Sequence, residues 1–152
     1  MAKKLYILNG PNLNLLGTRE PEIYGSTTLD ELAAQCKEAG EKAGLDVDFR
    51  QTNHEGELVE WIQGAIDQAA GIIINAAALT HTSVAVHDAL RAYKGYKIEL
   101  HISNPHSRES FRQVSYVSPV VDAVIVGLGV RGYALSVELM AEKLAAGANR
   151  KS

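Results

Sequence analysis

Short apolar runs alternate with amphipathic helical patterns along the chain, and this order constrains the fold more than any other feature. The apolar runs predict strands at 4–9, 45–51, 71–75, 97–103 and 123–127. Apolar residues at helical spacing predict helices at 28–43, 55–70, 82–93 and 132–146. Strands that alternate with helices form a parallel sheet covered on both faces. We therefore predict an α/β protein with a flavodoxin-like five-stranded parallel sheet and helices on both faces.

The whole chain, 1–152, is predicted to form a single domain. Its 152 residues suffice for one sizeable core, and we find no internal repeat or linker. The last residues, 147–152, are small and polar, and we expect them to be frayed. The net charge is −3 with both signs mixed along the chain, which argues against a surface that binds DNA or RNA.

Composition also indicates where the protein works. Cys36 is the single cysteine, so an intrachain disulfide is excluded, and its place in a helical pattern predicts a core residue. The N-terminal apolar run is too short for a signal peptide, and no apolar stretch approaches membrane-spanning length. We expect a soluble cytoplasmic protein without a membrane partner.

Polar residues concentrate where the first four predicted strands end, which is where α/β proteins place their sites. The connection after the first strand is long and lacks apolar periodicity, which is typical of a functional loop. It carries Asn12, Asn14, Arg19, Glu20 and Tyr24. These residue types could serve binding or proton transfer.

Glu99 and His101 form a second group, two residues apart on one predicted strand and therefore on the same side of it. Ionisable residues in a central strand are costly unless they are paired or functional. Ser103, Arg108 and Arg112 follow directly. A buried Glu–His hydrogen bond with solvated arginines beyond it remains the alternative to a catalytic role.

A third group follows the predicted strand that ends at Asn75. His81 and Asp88 lie seven residues apart, which would place them on one face of the predicted helix at 82–93. Taken alone, His81 is better explained as a helix cap and Asp88 as a surface charge.

The segment GLGVRG at 127–132 matches the glycine pattern of dinucleotide-binding proteins. We interpret it instead as close strand-to-helix packing, because no later strand exists to present the acidic residue of that fingerprint. The histidines show no metal-ligand spacing, and no serine-hydrolase elbow or Walker loop is present. The remaining groups suit proton transfer on a small polyhydroxy anion without a metal or cofactor.

Five stretches resemble the type II 3-dehydroquinate dehydratases, also called type II dehydroquinases. They run in order from about residue 4 to residue 144: LNGPNLNLLGTREPEIYG, QTNHEGELVEWI, NAAALTHTSVAVHDAL, HISNPHSRESFRQVSYVSP and VIVGLGVRGY. Two positions depart from the family pattern. Ala77 stands where the family often has glycine, and Leu79 where it often has tyrosine; both are expected at the rim of the site.

The resemblance implies anti elimination of water from 3-dehydroquinate through an enolate, giving 3-dehydroshikimate in the shikimate pathway of aromatic amino acid biosynthesis. It implies no cofactor, metal or Schiff base. Tyr24 would be the base, and the nearby Arg19 would favour its phenolate. Asn12 would hold a water against the enolate oxygen. His101 would be the general acid, oriented by Glu99.

The resemblance also implies a binding set and an assembly. The implied binding residues are Asn75, His81, Asp88, Ile102, Ser103 and Arg112. Asp88 would reach the site of a neighbouring subunit, and the family is typically a homododecamer, a tetramer of trimers. Two alternatives remain open: a nucleotide- or flavin-binding module, supported only by 127–132, and a noncatalytic relative that binds a small anion.

Overall fold

The computed structural model describes residues 2–18 and 20–147, which contain a five-stranded sheet in the order β2-β1-β3-β4-β5. Every neighbouring pair of strands in it is parallel. The strands are β1 (Lys3–Asn9), β2 (Leu45–Gln51), β3 (Gly71–Asn75), β4 (Tyr96–His101) and β5 (Ala123–Val126). The α-helices are α1 (Pro21–Tyr24), α2 (Leu29–Ala43), α3 (Glu55–Gln68), α4 (Val84–Ala92) and α5 (Arg131–Ala145). The predicted flavodoxin-like α/β fold is confirmed.

The element ends differ from the prediction in the connections that build the site. The connection after β1 is not structureless, because it holds a 3-10 turn at Leu13–Leu15 and the short helix α1. The helix predicted at 82–93 starts only at Val84, where Ser83 caps it by accepting a hydrogen bond from the Val86 N–H. The strand predicted at 97–103 ends at His101. The tail at 148–152 lies outside the described residues.

Local sequence signals explain why α2 begins and ends where it does. The Thr28 side chain accepts from the Glu31 N–H, and the Glu31 side chain accepts from the Thr28 N–H, which forms a capping box. Gly44 ends the helix with a φ of 77°, a left-handed conformation that glycine adopts without strain. The long connection from β1 is therefore fixed at its far end by α2.

Two apolar layers cover the sheet, because alternate residues of each strand face opposite sides. On one face, Leu5 and Ile7 of β1 belong to the layer that α2 and α5 cover. On the other face, Tyr6 and Leu8 belong to the layer that α3 and α4 cover. Cys36 of α2 is fully buried, as predicted for a core residue, and burial raises the pKa of its thiol to about 12.

The strand order places a crevice between β1 and β3. β1 is followed in sequence by β2 on one side, whereas β3, β4 and β5 lie in order on the other side. Connections that leave neighbouring strands in opposite directions open a space beyond their carboxyl ends. Among the described residues, no helix has both the length and the apolar character that crossing a membrane requires.

Candidate active site

A cavity of about 140 Å³ opens beyond the carboxyl ends of β1, β3 and β4. Cavities of roughly 150 Å³ are known to hold one benzene molecule, so this one matches a single six-membered ring. Its lining residues are Pro11, Asn12, Leu13, Leu16, Tyr24, Asn75, Ala77, Ala78, His81, His101, Ile102, Ser103, Pro105, Arg108 and Arg112.

Most of the residues predicted for the site line this cavity. They are Asn12, Tyr24, Asn75, His81, His101, Ile102, Ser103 and Arg112. Arg19 lies outside the described residues, so the predicted contact between Arg19 and Tyr24 has no structural counterpart to report. Asp88 is exposed on α4 and is not among the lining residues.

The predicted pairing of His81 and Asp88 on one helix face is wrong. His81 ends a 3-10 helix, Ala77–His81, and the chain leaves the helical conformation before α4 begins at Val84. The seven-residue spacing therefore does not correspond to two turns of one helix. His81 lines the cavity from the connection after β3, whereas Asp88 is not one of its lining residues.

Tyr24 ends α1 and meets an arginine from a distant part of the chain. The Arg108 Nη1 donates to the Tyr24 hydroxyl oxygen at 2.9 Å and to Ser103 Oγ at 3.1 Å. The Arg108 guanidinium carbon lies 5.6 Å from the centre of the Tyr24 ring. Sequence reasoning assigned no role to Arg108. Its position just beyond the carboxyl end of β4, among the other site segments, was the available signal.

Glu99 and His101 face the same side of β4, as predicted, and form a hydrogen bond of 2.5 Å between Glu99 Oε2 and His101 Nε2. Glu99 is 1% exposed and also accepts from the hydroxyls of Ser115 and Ser118. Burial would raise the pKa of Glu99, but these hydrogen bonds, led by that of His101, hold it below the ordinary value of 4.5. Glu99 is therefore a carboxylate at neutral pH, and its bond to Nε2 leaves His101 Nδ1 for a bound molecule.

His81 stands beside His101, with ring centres 6.5 Å apart and planes inclined by 19°. Its Nδ1 lies 2.7 Å from the Val114 carbonyl oxygen, which can only accept, so Nδ1 carries a proton. Burial lowers the pKa of His81 below its ordinary 6.5, with Arg112 and His101 adding to the effect, and together they outweigh the Val114 bond. At neutral pH His81 is therefore uncharged, and its Nε2 is an acceptor.

The glycine loop at 127–129 orients the backbone beside His101. Gly127 donates to the His101 and Ser103 carbonyl oxygens at 3.3 and 3.1 Å, and Gly129 donates to the Ile102 carbonyl oxygen at 3.0 Å. Both glycines have positive φ, 82° and 64°. In a trans peptide the N–H points opposite to the C=O, so these bonds turn the N–H groups of Ile102 and Ser103 away from the loop.

This loop also accounts for the rest of the GLGVRG segment. A Cβ on Gly132 would lie 3.0 Å from Leu100 Cδ1, so the start of α5 packs directly on β4. The interpretation of the segment as close strand-to-helix packing agrees with this geometry.

The charge of the lining favours an anion. Arg108 and Arg112 line the cavity, and none of its lining residues is an aspartate or glutamate. Glu109, outside the lining, pairs with Arg112 at 2.8 Å and approaches Arg108 at 3.7 Å. Within 2–18 and 20–147, no three His, Cys, Asp or Glu side chains are grouped so that they could hold a metal ion.

The two positions that depart from the expected pattern behave differently. Ala77 lines the cavity and has a φ of 53°, a left-handed conformation in which glycine is favoured. Leu79 is not among the lining residues and packs against the core layer under α3 and α4. The expectation that both shape the rim holds only for Ala77.

Comparison with known proteins identifies the family. Residues 3–141 match the family model described as dehydroquinase class II. The chain belongs to this family. The resemblance inferred from the five sequence stretches is thereby confirmed, and with it the assignment as a hydro-lyase of the dehydroquinase type.

Individual dehydroquinases match over nearly their whole length. The chain is 54% identical over 143 residues to a 3-dehydroquinate dehydratase of Mesorhizobium japonicum, with 93% of this chain and 99% of that protein covered. It is 55% identical over 148 residues to 3-dehydroquinate dehydratase 2 of Pseudomonas aeruginosa, with coverage of 97% and 100%. The crystal structure of type II dehydroquinase from Propionibacterium acnes has a TM-score of 0.90 and 47% identity, covering 93% of this chain and 98% of that one.

Proposed function

We propose that this chain converts 3-dehydroquinate to 3-dehydroshikimate by anti elimination of water through an enolate, in the cytoplasm, as a step of the shikimate pathway. One observation carries the proposal: two pairs of interacting groups meet at one cavity. That cavity has the volume of a six-membered ring, and its lining favours an anion. On one side the Arg108 guanidinium donates to the Tyr24 hydroxyl, and on the other Glu99 holds His101.

The first step is removal of a proton from C2, which lies next to the C3 ketone. An ordinary tyrosine titrates near pH 10 and is a poor base at neutral pH, so it needs a positive charge nearby to favour the phenolate. Arg108 supplies a guanidinium at hydrogen-bonding distance from Tyr24. Arg19 adds a second positive charge from the connection after β1, which also carries Tyr24. The Tyr24 phenolate takes the C2 proton, and the electrons move onto the C3 oxygen.

Asn12 stabilises the enolate by holding a water against the C3 oxygen. Fixed donors aimed at a developing oxyanion are typically the largest single contribution to catalysis of this kind. Asn12 has a φ of 70°, and its N–H donates to Asn53 Oδ1 at 2.9 Å. The Gln51 amide donates to the same oxygen at 3.1 Å. These contacts fix the backbone of Asn12 at the cavity wall.

His101 completes the elimination as general acid. It delivers a proton from Nδ1 to the C1 hydroxyl, and the C1–O bond breaks as water forms. The electrons of the enolate make the C1–C2 double bond, and the C3 ketone is restored. Tyr24 then holds one proton more and His101 one fewer than at the start, and proton exchange with solvent resets both.

The remaining lining residues bind the substrate. The N–H groups of Ile102 and Ser103 receive the carboxylate, supported by the glycine loop that turns them away from itself. Arg112, Asn75 and the His81 Nε2 bind ring hydroxyls. All three residues line the cavity and offer both donors and an acceptor.

Asp88 acts in the site of a neighbouring subunit of a homododecamer, arranged as a tetramer of trimers. Its exposed position on α4, outside the cavity of its own chain, supports this role. Exposed apolar residues lie on α4 and on the connection after β4, which suits a contact between subunits. They are Val84, Phe111 and Val114.

The test is an absorbance assay with 3-dehydroquinate, because the product contains a conjugated enone carboxylate that absorbs in the ultraviolet. One sample contains a chelator. A second is treated with borohydride and substrate, then dialysed, which would inactivate an enzyme that works through an imine. We expect the same rise in all samples. Folded protein that gives no rise would contradict the proposed reaction, and loss of activity in either treated sample would contradict the mechanism.

A further inference from the structure

Tyr133 joins two asparagines at the carboxyl ends of neighbouring strands. It lies in the first turn of α5 and is 1% exposed. Its hydroxyl donates to Asn9 Oδ1 at 2.6 Å and accepts from Asn75 Nδ2 at 2.9 Å. Asn9 and Asn75 are the last residues of β1 and β3 and are paired in register. Tyr133 therefore lies directly under the crevice from which the cavity opens.

The directions of the two hydrogen bonds that the Tyr133 hydroxyl makes are fixed by the other partners of Asn9 and Asn75. Asn9 Nδ2 donates to the Arg50 carbonyl oxygen at 2.9 Å, and a carbonyl can only accept, so Asn9 Oδ1 faces Tyr133. The single hydroxyl proton of Tyr133 must then go to Asn9. At the other end, the Ala77 N–H donates to Asn75 Oδ1 at 3.2 Å, so Asn75 Nδ2 faces the hydroxyl oxygen.

This order determines what Asn75 offers to a bound molecule. The Asn75 amide has two N–H bonds, and one of them is directed to Tyr133. Asn75 lines the cavity, so the second N–H is available there as a donor of fixed orientation. The terminal torsion of an asparagine is intrinsically broad, so without the hydroxyl only the 3.2 Å bond from the Ala77 N–H still holds the amide in this orientation.

We propose that Tyr133 is a positioning residue that fixes the Asn75 amide as a hydrogen-bond donor to the substrate. The proposal rests on the proposed function, in which Asn75 binds a ring hydroxyl. Burial raises the pKa of the Tyr133 hydroxyl far above its ordinary value, so it remains neutral and can donate and accept at once.

Tyr133→Phe removes the hydroxyl and nothing else, and Tyr93→Phe is its matched control. Tyr93 is 2% exposed, and its hydroxyl donates at 2.7 Å to the carbonyl oxygen of Ala69, which precedes β3 and so lies at the amino end of that strand, away from the cavity. Both variants leave a buried group without its partner, so both are expected to lower Tm. We expect Tyr133→Phe to raise KM about tenfold with a smaller change in kcat, whereas Tyr93→Phe changes each less than about twofold.

Two further variants separate positioning from a general loss of packing. In an Asn75→Ala background, Tyr133→Phe is expected to leave KM unchanged, because its effect passes through Asn75. Asn9→Ala keeps the hydroxyl but removes the acceptor that fixes its direction, and it is expected to raise KM in the same sense. Asn9→Ala also tests the proposal if the Tyr133→Phe protein does not fold.

The proposal is overturned if Tyr133→Phe lowers Tm like the control but leaves KM unchanged, or if it raises KM equally in the Asn75→Ala background. The dissociation constant of quinate, measured by calorimetry on the same proteins, gives the same comparison without turnover. A wild-type protein that does not convert 3-dehydroquinate would therefore refute the proposed function, while the calorimetry would still decide the role of Tyr133.

Discussion

The two proposed reactive groups at the cavity are held in opposite ways. His101 is 8% exposed and is held by Glu99, two residues earlier on the same strand. Tyr24 is only partly buried, ends a four-residue helix, and meets Arg108, which lies 84 residues further along the chain. The proposed acid is built into the sheet, whereas the proposed base is assembled from distant segments.

This difference separates stability from chemistry. Glu99 is bound by His101, Ser115 and Ser118 in the protein interior, so we expect changes on the acid side to disturb both the fold and the proposed reaction. Tyr24 and Arg108 are proposed to act in the reaction from the cavity wall, so changes on the base side should lower the rate with little effect on folding. Variants on the base side that lowered both the rate and Tm would contradict this distinction.

The largest effect is expected for Tyr24→Phe. It removes the oxygen proposed to take the C2 proton, so kcat should fall by about 10³-fold or more while Tm and the affinity for quinate stay near wild type. Steady-state kinetics and calorimetry measure both. Tyr116→Phe is the control, since Tyr116 is 37% exposed and is not a lining residue. A rate near normal in Tyr24→Phe would rule out this residue as the base.

Arg19→Ala should come next, because we expect it to slow turnover nearly as much as Tyr24→Phe. Arg108→Met should follow. The loss of the guanidinium from the Tyr24 hydroxyl should lower kcat about 10²-fold, and loss of the bond to Ser103 should also raise KM. Arg91→Met is the matched control, because it removes one positive charge from an exposed position on α4. An Arg108→Met protein with full activity would leave Arg19 as the sole source of the positive charge.

Glu99→Gln tests the acid side and should lower both kcat, by about tenfold, and Tm. Because the pKa of Glu99 is below 4.5 in the folded protein, its charge stabilises the fold at pH values above 4.5. That stability is lost as the pH falls through the lowered pKa. Thermal melts between pH 3 and 7 should therefore show a weaker acid dependence in Glu99→Gln than in wild type.

Glu109→Gln supplies the control for that experiment. Glu109 is an exposed carboxylate that pairs with Arg112 at the surface, and such pairs contribute little to stability. Its melting profile should follow that of wild type. Equal profiles for Glu99→Gln and wild type would show that the buried network does not stabilise the fold in the way proposed.

Ala77→Gly should give the smallest effect, because Ala77 lines the cavity but belongs to neither chemical side. Glycine relieves its left-handed φ of 53°, and we expect a gain of about 1 kcal/mol in the free energy of unfolding. Chemical denaturation measures this gain. Ala78→Gly is the control, since Ala78 is not among the residues with positive φ, and it should be neutral or destabilising. A loss of stability in Ala77→Gly would refute the strain argument.

Local patterns predicted the parts of the molecule that depend on neighbours in sequence. The shared face of Glu99 and His101 follows from the two-residue period of a strand, and the Thr28 cap follows from the spacing to Glu31. The resemblance to a family supplied most of the lining residues. The failure at His81 and Asp88 also has a local cause, because Ser83 caps a helix that begins later than apolar periodicity indicated.

Contacts between distant segments could not be predicted in this way. The approach of Arg108 to Tyr24 depends on how the connections after β1 and β4 fold over the sheet. The bond from Tyr133 to Asn9 joins residues 124 positions apart. No periodicity in the sequence encodes either distance, because both result from the packing of α5 and the connections onto the finished sheet.

The glycine loop has a consequence for inhibitor resistance. The groups that it orients at Ile102 and Ser103 are main-chain N–H groups, which every substitution except proline retains. A compound anchored there through a carboxylate would keep its anchor when either side chain mutates. Escape would require reshaping 127–129, where positive φ angles leave few acceptable residues besides glycine.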